Sequence, residues 1–287
     1  MPVPPTRLAI DLSGGLIRVV DGALGGSIRF GSGGTPAGSL IGGKVADANA
    51  VGSALRQLLA RSAILETRAA IVASDAVAAF RVFRVPQAAT EEEIDARVGR
   101  ELTMDPQQIA TQWVDVVGSS EHRLVYAVAW DRSLVRNLTE AARHAGLDVV
   151  AVDLKSACIA RAVAERSCVV VDISPDKSEI VLIDDSVPRV WHPFSVNGAT
   201  GEEAGRAMAA PLRTVLRFYE RQRETDFAAS SPVLITGEQV PPGHVLASLS
   251  ETVGHPVRPL PTPARVPPET RLGAYLACLG LIMRRTW

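Results

Sequence analysis

Cysteine, lysine and aromatic residues are scarce in this sequence. Only three of the 287 residues are cysteine, and aromatic residues make up 5%. Cys158, Cys168 and Cys278 form no CxxC pair and lie inside apolar runs, which excludes a disulfide framework and a cysteine-based zinc site. Thiols of this kind are typical of a reducing compartment. Three of the 30 basic residues are lysine, and this arginine bias beside abundant alanine indicates genomic base composition rather than function.

Excess charge and long apolar segments are also missing. The 30 basic and 31 acidic residues give a net charge of −1, which excludes a whole-protein basic field for nucleic acid or anionic lipid but leaves a local patch open. The most apolar part of the tail, 272–283, has 12 residues, fewer than the roughly 18–20 that span a bilayer. Residues 1–7 lack the apolar core of a signal peptide. We therefore expect a cytoplasmic protein with no nucleic-acid partner and no direct membrane insertion.

Two segments of the chain echo each other. The first is a strand that ends at Asp11, a small-residue turn and a second strand; the same order recurs around Asp172. Backbone amides and hydroxyls in two such turns suit a phosphate chain, and the two carboxylates suit Mg²⁺ and its waters. The competing interpretation is ordinary turn chemistry, because Asp-x-Ser is common at turns. The size of the chain and its 47% hydrophobic content predict about two lobes.

Between the two hairpins the sequence predicts a separate α+β unit. Thr90 and the acids after it are typical of a helix start, and Ile94, Val98 and Leu102 form one apolar stripe. Two strands, a helix and a further strand follow, up to Asp153. In contrast, 22–43 contains nine glycines and is expected to hold no long element. After the second hairpin we expect a helix over 200–223, a strand ending in Leu-Ile-Thr-Gly at 234–237, and a terminal helix over 271–285.

Two weaker patterns favour no function. Gly38 to Lys44 match GxxxxGK, but Val45 stands where a Mg²⁺-binding Ser or Thr is required, so this match is typical of chance in a glycine-rich stretch. The five histidines are scattered and do not have the spacing of a metal-ligand set.

The order of these segments resembles the actin-like ATPase superfamily, and within it the PilM-like assembly family of type IV pilus systems. The stretches that carry the resemblance cover nearly the whole chain: 8–20, 83–86 with 91–94 and Glu101, 141–154 with 160–162, 171–174, 216–219, 234–237 and 279–284. Each motif is loose, and their shared order carries the resemblance.

The resemblance implies ATP and Mg²⁺ as cofactors and assigns residues to them. The implied nucleotide-binding residues are Asp11, Ser13, Gly14, Gly15 and Arg18 in the first phosphate turn, Asp172 and Ser174 in the second, and Thr236 and Gly237 in the adenosine turn. Asp11 and Asp172 are also the implied metal residues. No catalytic residue is assigned, and hydrolysis is left open.

Several residues depart from the family pattern. Ser13 and Ser174 replace a glycine of the phosphate turns, Arg18 replaces a lysine, and Glu238 replaces the second glycine of the adenosine turn. Pro175 removes an amide donor from the second phosphate turn. No room remains after Val196 for the family's smaller second-lobe subdomain. These departures favour a scaffold over an ATPase.

The implied fold is α/β, a two-lobed actin-like (ribonuclease H-like) fold with an inserted α+β subdomain and a reduced second lobe. The expected division is 1–86 plus 150–167 for the first lobe, 87–149 for the inserted subdomain and 168–287 for the second lobe. The implied function is a cytoplasmic scaffold of a type IV pilus or related secretion machine, peripheral at the inner membrane. It would bind the cytoplasmic N-terminal segment of a single-pass inner-membrane partner. The alternatives are a nucleotide-free module like those of type II secretion and, less favoured, a small-metabolite kinase.

Overall fold

The computed structural model describes residues 7–23, 25–102, 109–116, 121–174, 177–196, 201–223, 227–262, 266 and 272–284. The chain divides into two compact units, residues 1–158 with 277–287, and residues 159–276. Within the described ranges, no helix is both long enough and apolar enough to cross a membrane. Pro175 and the predicted helix start at residue 200 lie outside the described residues.

The elements of the first half of the chain are β1 (Leu8–Asp11), β2 (Leu16–Gly22), β3 (Ile28–Gly34), β4 (Leu40–Ile41), β5 (Lys44–Val45), α1 (Ala48–Arg61), β6 (Arg68–Ala73), a 3-10 turn (Asp75–Val77), β7 (Ala78–Pro86), α2 (Glu91–Glu101), β8 (Ile109–Val116), β9 (His122–Asp131), α3 (Arg132–His144) and β10 (Asp148–Leu154). Those that follow are α4 (Lys155–Ala162), β11 (Cys168–Ile173), β12 (Ser178–Asp184), β13 (Val187–Phe194), α5 (Gly201–Arg223), β14 (Val233–Gly237), α6 (Gly243–Val253), β15 (Val257–Pro259) and α7 (Leu272–Ile282).

The main sheet of the first unit has the order β10-β6-β1-β2-β3. β1 and β2 are antiparallel, as the hairpin prediction requires, whereas β1 and β6 are parallel. Leu8, Ile10 and Ile71 are fully buried in the core of this sheet. The expectation of no long element within 22–43 is wrong, because β3 pairs with β2 over seven residues. Cross-strand pairing with a buried neighbour outweighs the low strand propensity of glycine.

The three-stranded sheet β7-β9-β8 carries α2 on one face. The predicted helix start is confirmed: Thr90 and Glu93 form a capping box, with the Thr90 hydroxyl accepting from the Glu93 amide and the Glu93 carboxylate accepting from the Thr90 amide. Ile94, Val98 and Leu102 are buried against the sheet. The strand β7 belongs to this sheet, although the predicted boundary at residue 86 places it with the first lobe.

The second unit is built on the sheet β13-β12-β11-β14-β15. β11 and β12 form the predicted hairpin, and α5 and α6 pack against the sheet through a core that includes Met208, Leu212 and Leu246. Six residues, 195–200, lie between β13 and α5. This spacing matches the expectation that no smaller subdomain is inserted after Val196.

Candidate functional site

The first predicted phosphate turn lies between β1 and β2, and Asp11 shapes it. The Asp11 side chain is 2% exposed, and its Oδ1 accepts a hydrogen bond of 2.8 Å from the Ser13 amide. The carbonyls of Gly14 and Gly15 accept bonds from the Thr35 hydroxyl (3.2 Å) and amide (3.0 Å). The turn is therefore fixed by its own aspartate and by the loop after β3.

Arg18 stands directly across the sheet from Asp11. The register of β1 and β2 pairs the two residues, which places an acidic and a basic side chain on one face. Arg18 is 6% exposed. In general, a guanidinium group carries paired donors of the kind that phosphate oxygens accept.

Cys278 from α7 backs this hairpin, which sequence reasoning missed. Its Sγ lies 3.7 Å from the Arg18 carbonyl oxygen as a donor. Burial raises the pKa of Cys278 well above its ordinary value, and the charge of Asp11 raises it further. The thiol is thus a neutral packing group at the base of the turn.

The second predicted phosphate turn, between β11 and β12, differs in its charges. Asp172 and Ser174 are each 7% exposed, and the Ser178 hydroxyl donates to the Ser174 carbonyl oxygen (3.4 Å) across the turn. The residue opposite Asp172 in the strand register is Glu179, which is 3% exposed. Two acidic residues thus occupy directly opposed positions here, where the first turn has an acidic and a basic one. The echo seen in the sequence therefore holds for the backbone but not for the charge.

Thr236 and Gly237 lie beside the second turn. The parallel pairing of β11 with β14 sets Thr236 beside Asp172 and Gly237 beside Ile173. Gly237 has φ +110°, and a Cβ there would lie 2.5 Å from the Ile173 nitrogen. The Glu238 amide donates to the Ile173 carbonyl oxygen (2.8 Å). The backbone packing of β14 on β11 therefore explains this glycine without a ligand.

Gly273, in the first turn of α7, makes a second close approach at the same place. A Cβ on Gly273 would lie 2.9 Å from the Gly237 Cα. Two glycines thus let the helix start pack directly on the turn that follows β14.

The nine predicted residues therefore form two groups. The first unit holds Asp11, Ser13, Gly14, Gly15 and Arg18 around one turn, and the second unit holds Asp172, Ser174, Thr236 and Gly237 around two neighbouring strand ends. Over the part of the chain that the structure describes, no group of three or more His, Cys, Asp or Glu side chains is arranged to hold a metal ion. Lys44 of the GxxxxGK match lies in the β4–β5 hairpin and not at a helix start, so that match has no phosphate-loop structure.

The three-stranded sheet offers a different kind of surface. On the α2 side, Trp113 donates from Nε1 to Asp95 (2.6 Å) and Arg97 lies 4.7 Å from the centre of the Phe83 ring. The strand registers place another set of residues on the opposite face: Phe80, Val82, Val114, Tyr126 and Val128.

The members of this second set differ in burial. Tyr126 and Val128, on the central strand, are buried, whereas Phe80, Val82 and Val114 are half-buried. The Phe80 and Tyr126 rings lie 5.7 Å apart. We call the half-buried residues Phe80, Val82 and Val114 the apolar strip; it offers a short apolar segment a place to bind beside the strand edges.

Comparison with known proteins identifies the fold of the chain. No protein-family model matches the chain, and no curated protein matches it in sequence. Among solved structures, a chain of the PilM–PilN type IV pilus biogenesis complex matches with a TM-score of 0.76 and 20% identity, over 98% of this chain and 99% of that one.

Two other matches are more distant. The ethanolamine utilization protein EutJ from Carboxydothermus hydrogenoformans has a TM-score of 0.52 and 14% identity, over 98% of this chain and 90% of that one. The cytoplasmic domain of EpsL, an inner-membrane component of the type II secretion system of Vibrio cholerae, has a TM-score of 0.51 and 13% identity, over 85% of this chain and 93% of that one. Identities this low establish the fold and not the activity. The predicted fold class is confirmed: the chain has the two-lobed α/β fold that these actin-like structures share.

Proposed function

We propose that the protein is a cytoplasmic scaffold of a type IV pilus or related secretion machine. In this role it binds the cytoplasmic N-terminal segment of a single-pass inner-membrane partner and is thereby peripheral at the inner membrane. One observation carries the proposal, the match along almost the whole of both chains to a structure of the PilM–PilN complex. We keep the division into 1–86 plus 150–167, 87–149 and 168–287 as part of the proposal.

The apolar strip is the proposed contact for the partner segment. α2 covers the other face of the sheet, and Phe80, Val82 and Val114 are apolar side chains that retain exposure on the opposite face. β8 is an edge strand, and its backbone groups on the open side suit the addition of an extended segment. Arg84, exposed on the same face, provides a cation at the rim.

A peptide titration tests this role. The probe is the synthetic N-terminal segment of the single-pass membrane protein encoded in the same secretion operon. Val114→Arg places a charge in the apolar strip and is expected to weaken binding at least tenfold, because it removes apolar contact and buries a cation. The matched control is Thr111→Arg, on the same edge strand but exposed on the α2 side. Equal affinity of the two variants would contradict the proposed contact.

Binding of ATP and Mg²⁺ is a second, separable part of the proposal. Asp11 is the last residue of β1 and Asp172 the last but one of β11, and carboxylates at these two positions are the ligand type that Mg²⁺ prefers. When bound, the metal would neutralise phosphate charge. Asp11 holds the first turn, and Arg18 supplies donors for phosphate oxygens.

Thermal unfolding with and without ATP and Mg²⁺ tests the nucleotide part. Ligand at tenfold its dissociation constant stabilises by about 1.4 kcal/mol, which raises Tm by about 2 °C for a chain of this size. Asp11→Asn is expected to abolish the rise, while Asp47→Asn, at the exposed cap of α1, keeps it. No shift for the wild type would support the nucleotide-free module instead. Phosphorylation of a small metabolite would favour the kinase alternative.

A further inference from the structure

The helix α5 separates its residues into two opposite faces. Successive residues of a helix are about 100° apart around its axis. On this projection the buried side chains of α5 fall on one side, which faces the sheet and α6. These residues are Ala204, Met208, Ala209, Leu212, Val215, Leu216 and Tyr219. Arg206, Arg213, Arg217 and Arg221 are all exposed, and they fall within a sector of about 80° centred opposite the buried face. We call these four residues the arginine stripe.

The arginine stripe concentrates positive charge on α5 after its acidic first turn, which holds Glu202 and Glu203. None of the four guanidiniums forms an ion pair with a residue that the structure describes, in contrast to Arg123, Arg166 and Arg258, which pair with acids at 2.7–3.2 Å. From Arg206 to Arg221 the helix contains four arginines and one acid, the half-buried Glu220. The chain as a whole has a net charge of −1, so this positive charge is concentrated locally.

The shape of the stripe limits what it can bind. Its 15-residue span corresponds to about 22 Å at 1.5 Å per residue, a row along the helix rather than a pocket. Phe218 lies on one flank of the row and is 50% exposed. An exposed aromatic ring beside a row of arginines is typical of surfaces that meet the boundary between lipid headgroups and acyl chains.

We propose that the arginine stripe binds the anionic phospholipid surface of a membrane. Guanidinium groups form bidentate hydrogen bonds with phosphate oxygens, and Phe218 enters the headgroup region without any segment crossing the bilayer. The inference rests on the proposed function only for its location, since a scaffold held at the inner membrane has its exposed faces near anionic lipid. Adsorption by the stripe would add to the affinity of the partner peptide, because both act on one molecule.

Vesicle co-sedimentation with the full chain, in the absence of any partner peptide, tests the proposal. The probes are vesicles of phosphatidylcholine alone and of an equimolar mixture with phosphatidylglycerol, at low and high salt. We expect binding to the mixed vesicles that weakens as salt screens the charges, and little binding to the neutral ones. The double variant Arg213→Gln with Arg217→Gln should weaken vesicle binding about 30-fold, because each arginine near an anionic surface contributes about fivefold and the two effects multiply.

The matched control is Arg132→Gln with Arg136→Gln, two exposed arginines with the same spacing on α3 of the other unit. This pair changes the net charge equally and should leave vesicle binding unchanged. Equal losses in the two double variants, or no preference for the mixed vesicles, would overturn the proposal. So would stripe-dependent binding of duplex DNA or of polyglutamate without binding of vesicles. The two tests are independent. A failed peptide titration does not change the expected vesicle binding, and a failed vesicle test does not change the expected peptide binding.

Discussion

The closing helix packs so closely on α4 that one methyl group is expected to weaken the fold. Gly280 lies near the end of α7, and a Cβ built there would meet the Cys158 backbone, with 2.6 Å to its carbonyl carbon and a still closer approach to its oxygen. Real Cβ contacts with backbone atoms stay beyond 3.0 Å. Gly280→Ala therefore forces one of the two helices to move.

The magnitude follows from two opposing effects. Overpacking of this kind costs about 1–3 kcal/mol, and the upper end applies because the obstacle is backbone, which has no rotamer to change. Replacement of a helical glycine by alanine returns about 1 kcal/mol of helix propensity. We therefore expect a net loss of about 2 kcal/mol in the free energy of unfolding, which corresponds to about 3 °C in Tm for 287 residues.

The matched control is Gly99→Ala in α2. Gly99 is also the third residue from the end of an 11-residue helix, but a Cβ there has no atom within 4 Å. It should gain about 0.5–1 kcal/mol. Urea denaturation followed by circular dichroism measures both variants. If Gly280→Ala proves as stable as Gly99→Ala, the close approach of α7 to Cys158 is refuted.

Three further predictions concern buried groups and a helix cap. Burial raises the pKa of the Cys168 thiol to about 12, so its neutral form stabilises the fold below about pH 9 and that contribution is lost as pH rises toward 12. The free energy of unfolding should then fall more steeply over this range in the wild type than in Cys168→Ala, and a thiol reagent should label the protein at about pH 8 only after unfolding. Thr90→Ala should cost about 1 kcal/mol in urea denaturation, with Thr90→Ser restoring most of it, because the capping box needs a hydroxyl. Asp75 is 2% exposed and accepts from the amide and hydroxyl of Ser156, so Asp75→Ala should cost about 3 kcal/mol and Asp75→Asn less, since an amide oxygen keeps one acceptor.

The candidate sites show where sequence reasoning stops. The turns at Asp11 and Asp172 were predictable, because a short strand, an aspartate and small residues specify a hairpin locally. Glu179 and Cys278 were not recognised as neighbours of those turns. The first requires the strand register, and the second requires α7, more than 250 residues along the chain from Arg18, to be placed against β2.

The apolar strip and the arginine stripe show the same limit on a larger scale. Local spacing predicted α2 and α5 as helices, but not which strand residues α2 leaves uncovered. Strand alternation already places Phe80 and Phe83 on opposite faces, but only the packing of α2 on the Phe83 side decides which of them stays half-exposed.

The sequence alone determined the two hairpins, the order of the main elements outside 22–43 and the absence of a large net charge, because these depend on neighbouring residues and on totals. It also indicated the fold class, through motifs whose order survives even where single residues change. The tertiary structure decided where the cysteines and the arginines lie relative to the core and the surface. The three cysteines are all buried, and Cys278 lies against the first turn. Four of the many arginines form one exposed row, because only the packed face of α5 determines which side remains in water.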